Sequence, residues 1–477
     1  MRGNQSFNDT FNRMNSLRTI DIEPKKATPM IAQYLSIKKE HKDCLIFFRM
    51  GDFYELFLED AINASKILDI TLTKRGTYNG KPIPMCGVPA HSSEVYLSRL
   101  IRSGAKVAIC EQSEHIINSK ENQKQNLMKR EVTRVITPGT LTEENILDPK
   151  NFNYLLSIYL NRDKTGLSWI DISTGDFYSK FLNFSVIKSE IKKINPKEII
   201  IINFEGDESQ LLDICEDYNF TKLDSKLTEK TCQEKITEVI GLSDNKFFNN
   251  FEKLEIISSG HLIDYIINTQ KGKIPNIKKL ISKNKTEQMS IDNSTIKNLE
   301  IYESSSGLKS GSLLQIIDKT QTNTGGRLLR QYLSAPFFNA SKINDRLDVV
   351  EFFLDQKELY ERTLNQLKSI TDIERSLSRL SLLRGSPRDL GAIKETLIEI
   401  SEIKKTLNIV PLPKELVKLK KNLIDSNHEI IIELKKSLVD FPPLNIREGF
   451  VKNSYNTDLE EIKKIRDNSK SHIQKLK

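Results

Sequence analysis

Residues 44–57, CLIFFRMGDFYELF, carry the reading that decides the fold. Cys44–Met50 is a mostly apolar run of strand length, Gly51-Asp52 interrupts it, and Phe53-Tyr54-Glu55-Leu56-Phe57 follows. In extended conformation Phe53 and Glu55 share one face, while Tyr54 and Leu56 take the other. Working outward, Glu59–Leu68 places Ala61, Ala64, Ile67 and Leu68 at helical spacing, and 76–84 is punctuated as a loop. Ser92–Gly104 then reads as a helix and Val107–Cys110 as a buried strand. This first block, Pro29 to Gln112, is mixed α/β. Residues 120–134 are polar and rich in Gln, Asn and Lys, and are expected to form a mobile connector.

Further on, Tyr154–Leu160, Leu167–Ile172 and Asp176–Leu182 form a predicted meander. A helix at Val186–Ile194, the strand Glu198–Ile202, a helix at Glu208–Tyr218 and a short strand complete a second α/β domain. After Gly260 strands are expected to stop. Helical periodicity takes over in Leu262–Ile267, Ser312–Leu333, Ile343–Phe353, Leu359–Leu383, Asp389–Leu407 and His428–Val439, with breakers at Pro336, Gly385-Ser386-Pro387 and Pro411/Pro413. Thr457 and Glu460 read as a capping box opening a last helix, whose apolar stripe is Leu459, Ile462, Ile465, Ile473 and Leu476. It meets no stop signal before Lys477, the pattern expected of a chain cut through a helical domain. The fold class is therefore multidomain α/β plus all-α.

A length of 477 residues suits about three domains. The 72 basic against 64 acidic side chains leave a net charge of +8, which suits a polyanionic partner without demanding one. No apolar run approaches the ~18 residues of a membrane span, and residues 1–21 lack the apolar core of a secretory signal. The five cysteines are scattered, with no CxxC spacing, which fits a reducing cytoplasm better than a disulfide framework. The histidines form no ligand cluster, so no metal is expected.

Phe53 and Glu55 are the leading candidate site. Core aromatics are the ordinary alternative, but a carboxylate sharing the face of a phenylalanine fits a core poorly. An exposed phenylalanine beside a carboxyl group suits a wedge that unstacks a base while the acid bonds its edge. Residues 76–82, GTYNGKP, only superficially resemble a phosphate loop, because three residues separate the glycines and proline stands where Ser or Thr must reach magnesium. Asp171 and Asp176, at neighbouring strand ends, are candidate ligands of a Mg2+-dependent nuclease, although they also suit turns. Lys74-Arg75, Lys129-Arg130 and Arg134 are candidate phosphate contacts.

Taken together, 48–57 (FRMGDFYELF), 71–76 (TLTKRG), 84–89 (PMCGVP) and 107–112 (VAICEQ) resemble the MutS family of DNA mismatch repair proteins. Residues 134–140 (RVITPGT), 170–177 (IDISTGDF), 325–330 (GGRLLR), 372–375 (DIER) and 384–390 continue the likeness in order. The resemblance implies a flexible arm (1–28), a mismatch-recognition domain (29–135) and an RNase-H-like connector domain (145–285). It further implies the first part of a helical core or lever domain (286–455) and the start of a clamp (456–477). In the family the phenylalanine stacks on a mispaired base from the minor groove and the glutamate bonds that base, roles that fall on Phe53 and Glu55. Met50, Lys74, Arg75 and Met85 would contact the DNA backbone or support the site. The implied partners are duplex DNA with mismatches or small loops, a MutL-type repair protein and a sliding clamp, with a homodimer in the full-length form and no membrane. Full-length relatives use ATP and Mg2+ through a C-terminal P-loop ATPase, a pattern these residues lack, so no cofactor is expected here. The implied location is the cytoplasm, on the nucleoid. The alternatives are the Mg2+-dependent nuclease and a recombination-associated MutS relative, in which the mismatch-reading domain is typically absent or lacks its wedge.

Overall fold

A computed structural model describes residues 28–468 except 79, 118–126, 203–212, 214, 216–217, 226, 243–244, 285–287 and 290. The predicted arm up to residue 27, most of the predicted helix 208–218, and Ile473 and Leu476 lie outside the described residues. The chain forms two compact units, one of 1–148 with 152–284 and one of 149–151 with 285–477.

In the sheet unit, α1 (Pro29–Glu40) opens with proline in its first turn, where no helical N–H is lost. Next come β1 (Cys44–Met50) and β2 (Phe53–Phe57), α2 (Leu58–Leu68), β3 (Thr73–Tyr78), β4 (Lys81–Pro89), α3 (Ser93–Arg102), β5 (Lys106–Ile117) and β6 (Leu127–Ile136). The six strands lie in the order β3-β4-β2-β1-β5-β6. β1 and β2 are an antiparallel hairpin pairing Met50 with Phe53, and its turn is possible because Gly51 takes φ +59°. Ile46, Phe48 and Phe57 pack under α1 through Ile31 and Tyr34. Leu45, Phe47, Tyr54 and Leu56 take the opposite face, against Ala61, Ala64, Leu97 and Leu100 of α2 and α3. Asp60 ties α1 down, accepting from Tyr34 Oη at 2.6 Å, Lys38 Nζ at 2.8 Å and Ile46 N at 3.1 Å.

Two segments read as loop or connector are strands. Residues 76–78 end β3, 81–84 open β4, and 127–134 belong to β6, antiparallel to β5. β3 and β6 are the two edges of the sheet. Edge strands carry charged side chains that discourage further pairing, so their composition imitates a loop.

The second sheet comprises β7 (Leu155–Asn161), β8 (Lys164–Asp171), β9 (Asp176–Asn183), β10 (Glu198–Ile202), β11 (Phe220–Leu223) and β12 (Ile281–Ser282). Its order is β11-β10-β7-β8-β9-β12, an antiparallel meander continued by strands parallel to β7, which is the RNase-H-like arrangement. The helix α4 (Ile187–Ile194) covers one face, and α5 (Glu229–Ile240) and α6 (Lys253–Thr269) cover the other. β12 corrects the expectation that strands end after Gly260. The predicted piece 262–267 is the middle of α6, a helix buried around most of its circumference.

Gly166 sets how closely α6 approaches: a Cβ there would lie 2.0 Å from the backbone oxygen of Leu254. Gly166→Ala should therefore displace the helix and cost about 1–3 kcal/mol. The check is the urea midpoint of Trp169 fluorescence, since Trp169 is the chain's single tryptophan and lies in β8. An unshifted midpoint would show that α6 retreats freely.

The helical unit contains α7 (Asn293–Asn298), α8 (Leu313–Ile317), α9 (Asn323–Ser334), α10 (Ala340–Asp355), α11 (Lys357–Leu367), α12 (Ile373–Ser381), α13 (Pro387–Thr406), α14 (Lys414–Asn422), α15 (Glu429–Ser437) and α16 (Thr457–Asp467). Two predicted long helices are each split in two. Thr322 caps α9 by accepting from Gly325 N at 3.0 Å, and Asp372 caps α12 by accepting from Arg375 N at 3.4 Å. A side chain that satisfies a helix N-terminus starts a new helix inside a continuous apolar pattern. At α16 the cap is Asn456, which accepts from Leu459 N at 2.9 Å, and not the expected Thr457 box. No helix among the described residues is long and apolar enough to cross a membrane.

Candidate nucleic-acid interface

The pairing of β2 with β1 and β4 arranges the candidate residues in rows. Phe53 sits between Met50 and Pro89, Glu55 between Phe48 and Gly87, and Phe57 opposite Met85. All of these side chains point to the α1 face of the sheet. Ile46, Phe48 and Phe57 are sealed in the core there, whereas Phe53 is 48% exposed at the end of its strand. Met50 and Met85 are half-buried against the same core.

Gly87 was not singled out in the sequence. A Cβ there would stand 3.7 Å from Glu55 Cγ and 3.9 Å from Phe53 Cδ1. Its lack of a side chain keeps the space beside both residues open.

Glu55 is largely buried but not isolated. Arg75 Nη1 on β3 donates to both of its carboxylate oxygens. This supplies the charge compensation that a buried carboxylate needs. Lys74, one position earlier, alternates to the other side of the ribbon. The turn is braced by Arg49 Nε, which donates to Gly51 O at 2.6 Å, and the Arg49 guanidinium lies 5.2 Å from the centre of the Tyr54 ring. Behind the site Tyr54 donates to Glu111, and burial, followed by that bond, pushes its hydroxyl up to about 12. Tyr54 is therefore a neutral strut.

The other candidate cations are occupied internally. Arg130 Nε donates to Arg49 O at 2.7 Å, and its guanidinium lies 4.9 Å from the centre of the Phe48 ring. Arg134 pairs with Glu143 and Lys129 with Glu131. Asp171 is fully buried and caps its own turn, accepting from Asn153 N at 2.8 Å, Ser173 N at 2.9 Å and Ser173 Oγ at 2.6 Å. Asp176 pairs with Lys278 Nζ at 2.9 Å. Among the described residues no group of three His, Cys, Asp or Glu side chains is placed to hold a metal ion. Both aspartates are thus turn residues in this structure.

A mixed-sheet domain with a half-exposed phenylalanine on its β1–β2 hairpin, followed by an RNase-H-like domain and a helical one, defines the class: a modular, multidomain protein. Comparison narrows it. Residues 28–145 match MutS domain I, 153–278 match MutS domain II and 294–477 match MutS domain III. The chain belongs to the MutS family. It is 39% identical over 454 residues to the DNA mismatch repair protein MutS of Roseobacter denitrificans, an alignment covering 94% of this chain and 51% of that protein. The protein of the same name from Wolbachia pipientis wMel is 36% identical over 506 residues, covering 99% and 59%, and that from Ehrlichia ruminantium (strain Welgevonden) is 37% identical over 457 residues, covering 94% and 56%. The chain thus spans about half the length of the curated relatives it matches.

Proposed function

We propose that this chain binds duplex DNA and reads mispaired or unpaired bases at the Phe53–Glu55 face, as the recognition part of DNA mismatch repair. The observation that carries this reading is Phe53 itself, a large aromatic held half-exposed on the hairpin of a central strand by a fully packed core. A rigid apolar wedge discriminates by deformability, because a mismatched step costs less to unstack and kink than a paired one. Glu55 lies on the same face, two residues on, where its carboxylate would meet a base edge once the wedge is seated. Met50 and Met85 support the wedge, and Arg75 and Lys74 supply positive charge toward the phosphates. ATP-driven steps, a homodimer and contacts with a MutL-type protein and a sliding clamp are proposed for the whole protein, acting on DNA in the cytoplasm.

The test is fluorescence-anisotropy binding of the chain to a homoduplex and to a G·T duplex at two salt concentrations. Phe53→Ala should lower mismatch affinity about 5- to 150-fold, the range of one base–aromatic stack, and leave homoduplex affinity nearly unchanged. Equal binding of both duplexes by the unmodified chain would refute the reading. A preference for four-way junctions over mispaired DNA would favour the recombination-associated alternative.

A further inference from the structure

The pairing of Arg75 with Glu55 creates a conflict that the proposed function must resolve. In the DNA-free chain the hydrogen bonds that the Glu55 carboxylate accepts among the described residues come from Arg75. A carboxylate whose two oxygens both face one guanidinium has its charge compensated and part of its acceptor capacity turned away from a base edge. Arg75 is not fixed in the same way, since its side chain is 44% exposed against 12% for Glu55. It also stands on an edge strand whose pairing is irregular between Lys74 and Thr77. A half-exposed guanidinium on a sheet edge has room to turn outward, and the two non-bridging oxygens of a phosphate can accept from it as the two oxygens of a carboxylate do.

The geometry points to Arg75 as a positioning residue that exchanges acceptors: it neutralises Glu55 in the free chain and passes to a DNA phosphate on binding, releasing the carboxylate toward the base. This rests on the mismatch-reading function proposed above and adds an order of events to it. The acid is masked until a duplex lies across the β3 edge, so that base reading depends on backbone contact.

The salt dependence of homoduplex affinity decides the matter. If Arg75 moves to a phosphate, Arg75→Ala should reduce the slope of log affinity against log salt by about one, and Arg75→Lys should retain the slope. Arg75→Ala should also weaken binding of both duplexes through the lost phosphate contact, and Glu55→Gln should strengthen homoduplex binding more with Arg75 present, where it removes the pairing that binding must break, than in Arg75→Ala. Equal slopes for the unmodified chain and Arg75→Ala would show that Arg75 stays on Glu55, overturning the exchange. A gain no larger with Arg75 than without it would overturn the exchange as well, by showing that binding does not break the Arg75–Glu55 pair. If the slope falls as expected but neither duplex is preferred, the exchange stands and the mismatch reading fails. If discrimination persists with equal slopes, the reverse holds. Absence of measurable binding to either duplex at low salt would overturn both. Far-UV circular dichroism of each variant confirms that the sheet edge remains folded.

Discussion

Glu198→Ala should lower the stability of the sheet unit by about 3–5 kcal/mol, the cost of stripping the partner from buried charged and polar groups. Glu198 is only 1% exposed, at the start of β10 in the second sheet. Its carboxylate accepts from Tyr265 Oη on α6 at 2.7 Å, from Gly139 N at 3.1 Å and from Thr137 Oγ1, and Lys106 Nζ of the first sheet lies 3.6 Å away. One side chain thus gathers donors from β5, from the segment after β6 and from α6. Removing it leaves a lysine, a hydroxyl pair and a backbone N–H competing for acceptors in a region closed to water. Glu198→Gln retains the shape and one of the two acceptor oxygens, and should cost clearly less. Trp169 fluorescence in urea is the measurement, and equal midpoints for Glu198→Ala and the unmodified chain would show that the carboxylate carries no net stability.

Arg327→Ala should destabilise the helical unit by a comparable ~3–5 kcal/mol and leave the Trp169 transition in place. Arg327 is 1% exposed and donates to Asp372 at 2.6 and 3.0 Å, to Glu374 at 2.9 Å and to the backbone oxygen of Pro149 at 2.9 Å. Its loss takes the guanidinium away from two part-buried carboxylates and leaves Asp372 with only the more distant Arg375 Nε, 3.9 Å away. The readout is the helical signal at 222 nm, and a joint shift of both signals would refute the independence of the two nodes. A pH dependence follows. Burial alone would push the Asp372 carboxyl up, but the hydrogen bonds and charge of Arg327 outweigh it and hold the group below its ordinary 3.8. With a folded value below the unfolded one, the pair contributes fully above the unfolded value and fades as pH falls through the folded value. The unmodified helical unit should therefore lose stability as pH drops below about 4, and Arg327→Ala should show less of that loss.

Sequence and structure part company where tertiary context overrides local pattern. The alternation across Phe53–Phe57 and along the meander is legible because each strand there contributes its two faces to different surroundings. α6 was seen only as 262–267 because a helix buried almost all round has no polar face to set its period. β6 and β3 were lost to the opposite effect, since an edge strand needs little apolar content. At the candidate site the Phe53/Glu55 alternation is local and readable. Arg75 is not: its approach to Glu55 depends on β4 passing between their strands, and 20 residues of intervening sequence carry no sign of it.

Pro149–Asn151 belongs to the helical unit although its flanking residues belong to the sheet unit. Asn151 O accepts from Arg375 Nη2 at 2.9 Å across 224 residues of sequence, and Pro149 O is bound by Arg327 across 178. On a ribosome adding about 5–20 residues per second, these carbonyls would emerge roughly 10–45 s before Arg375. The sheet domains can close around their own strands in that interval, but the helical unit cannot. Its assembly is therefore late and non-local by construction, and a fragment begun at residue 152 would retain Arg327 and Arg375 with two of their acceptors missing.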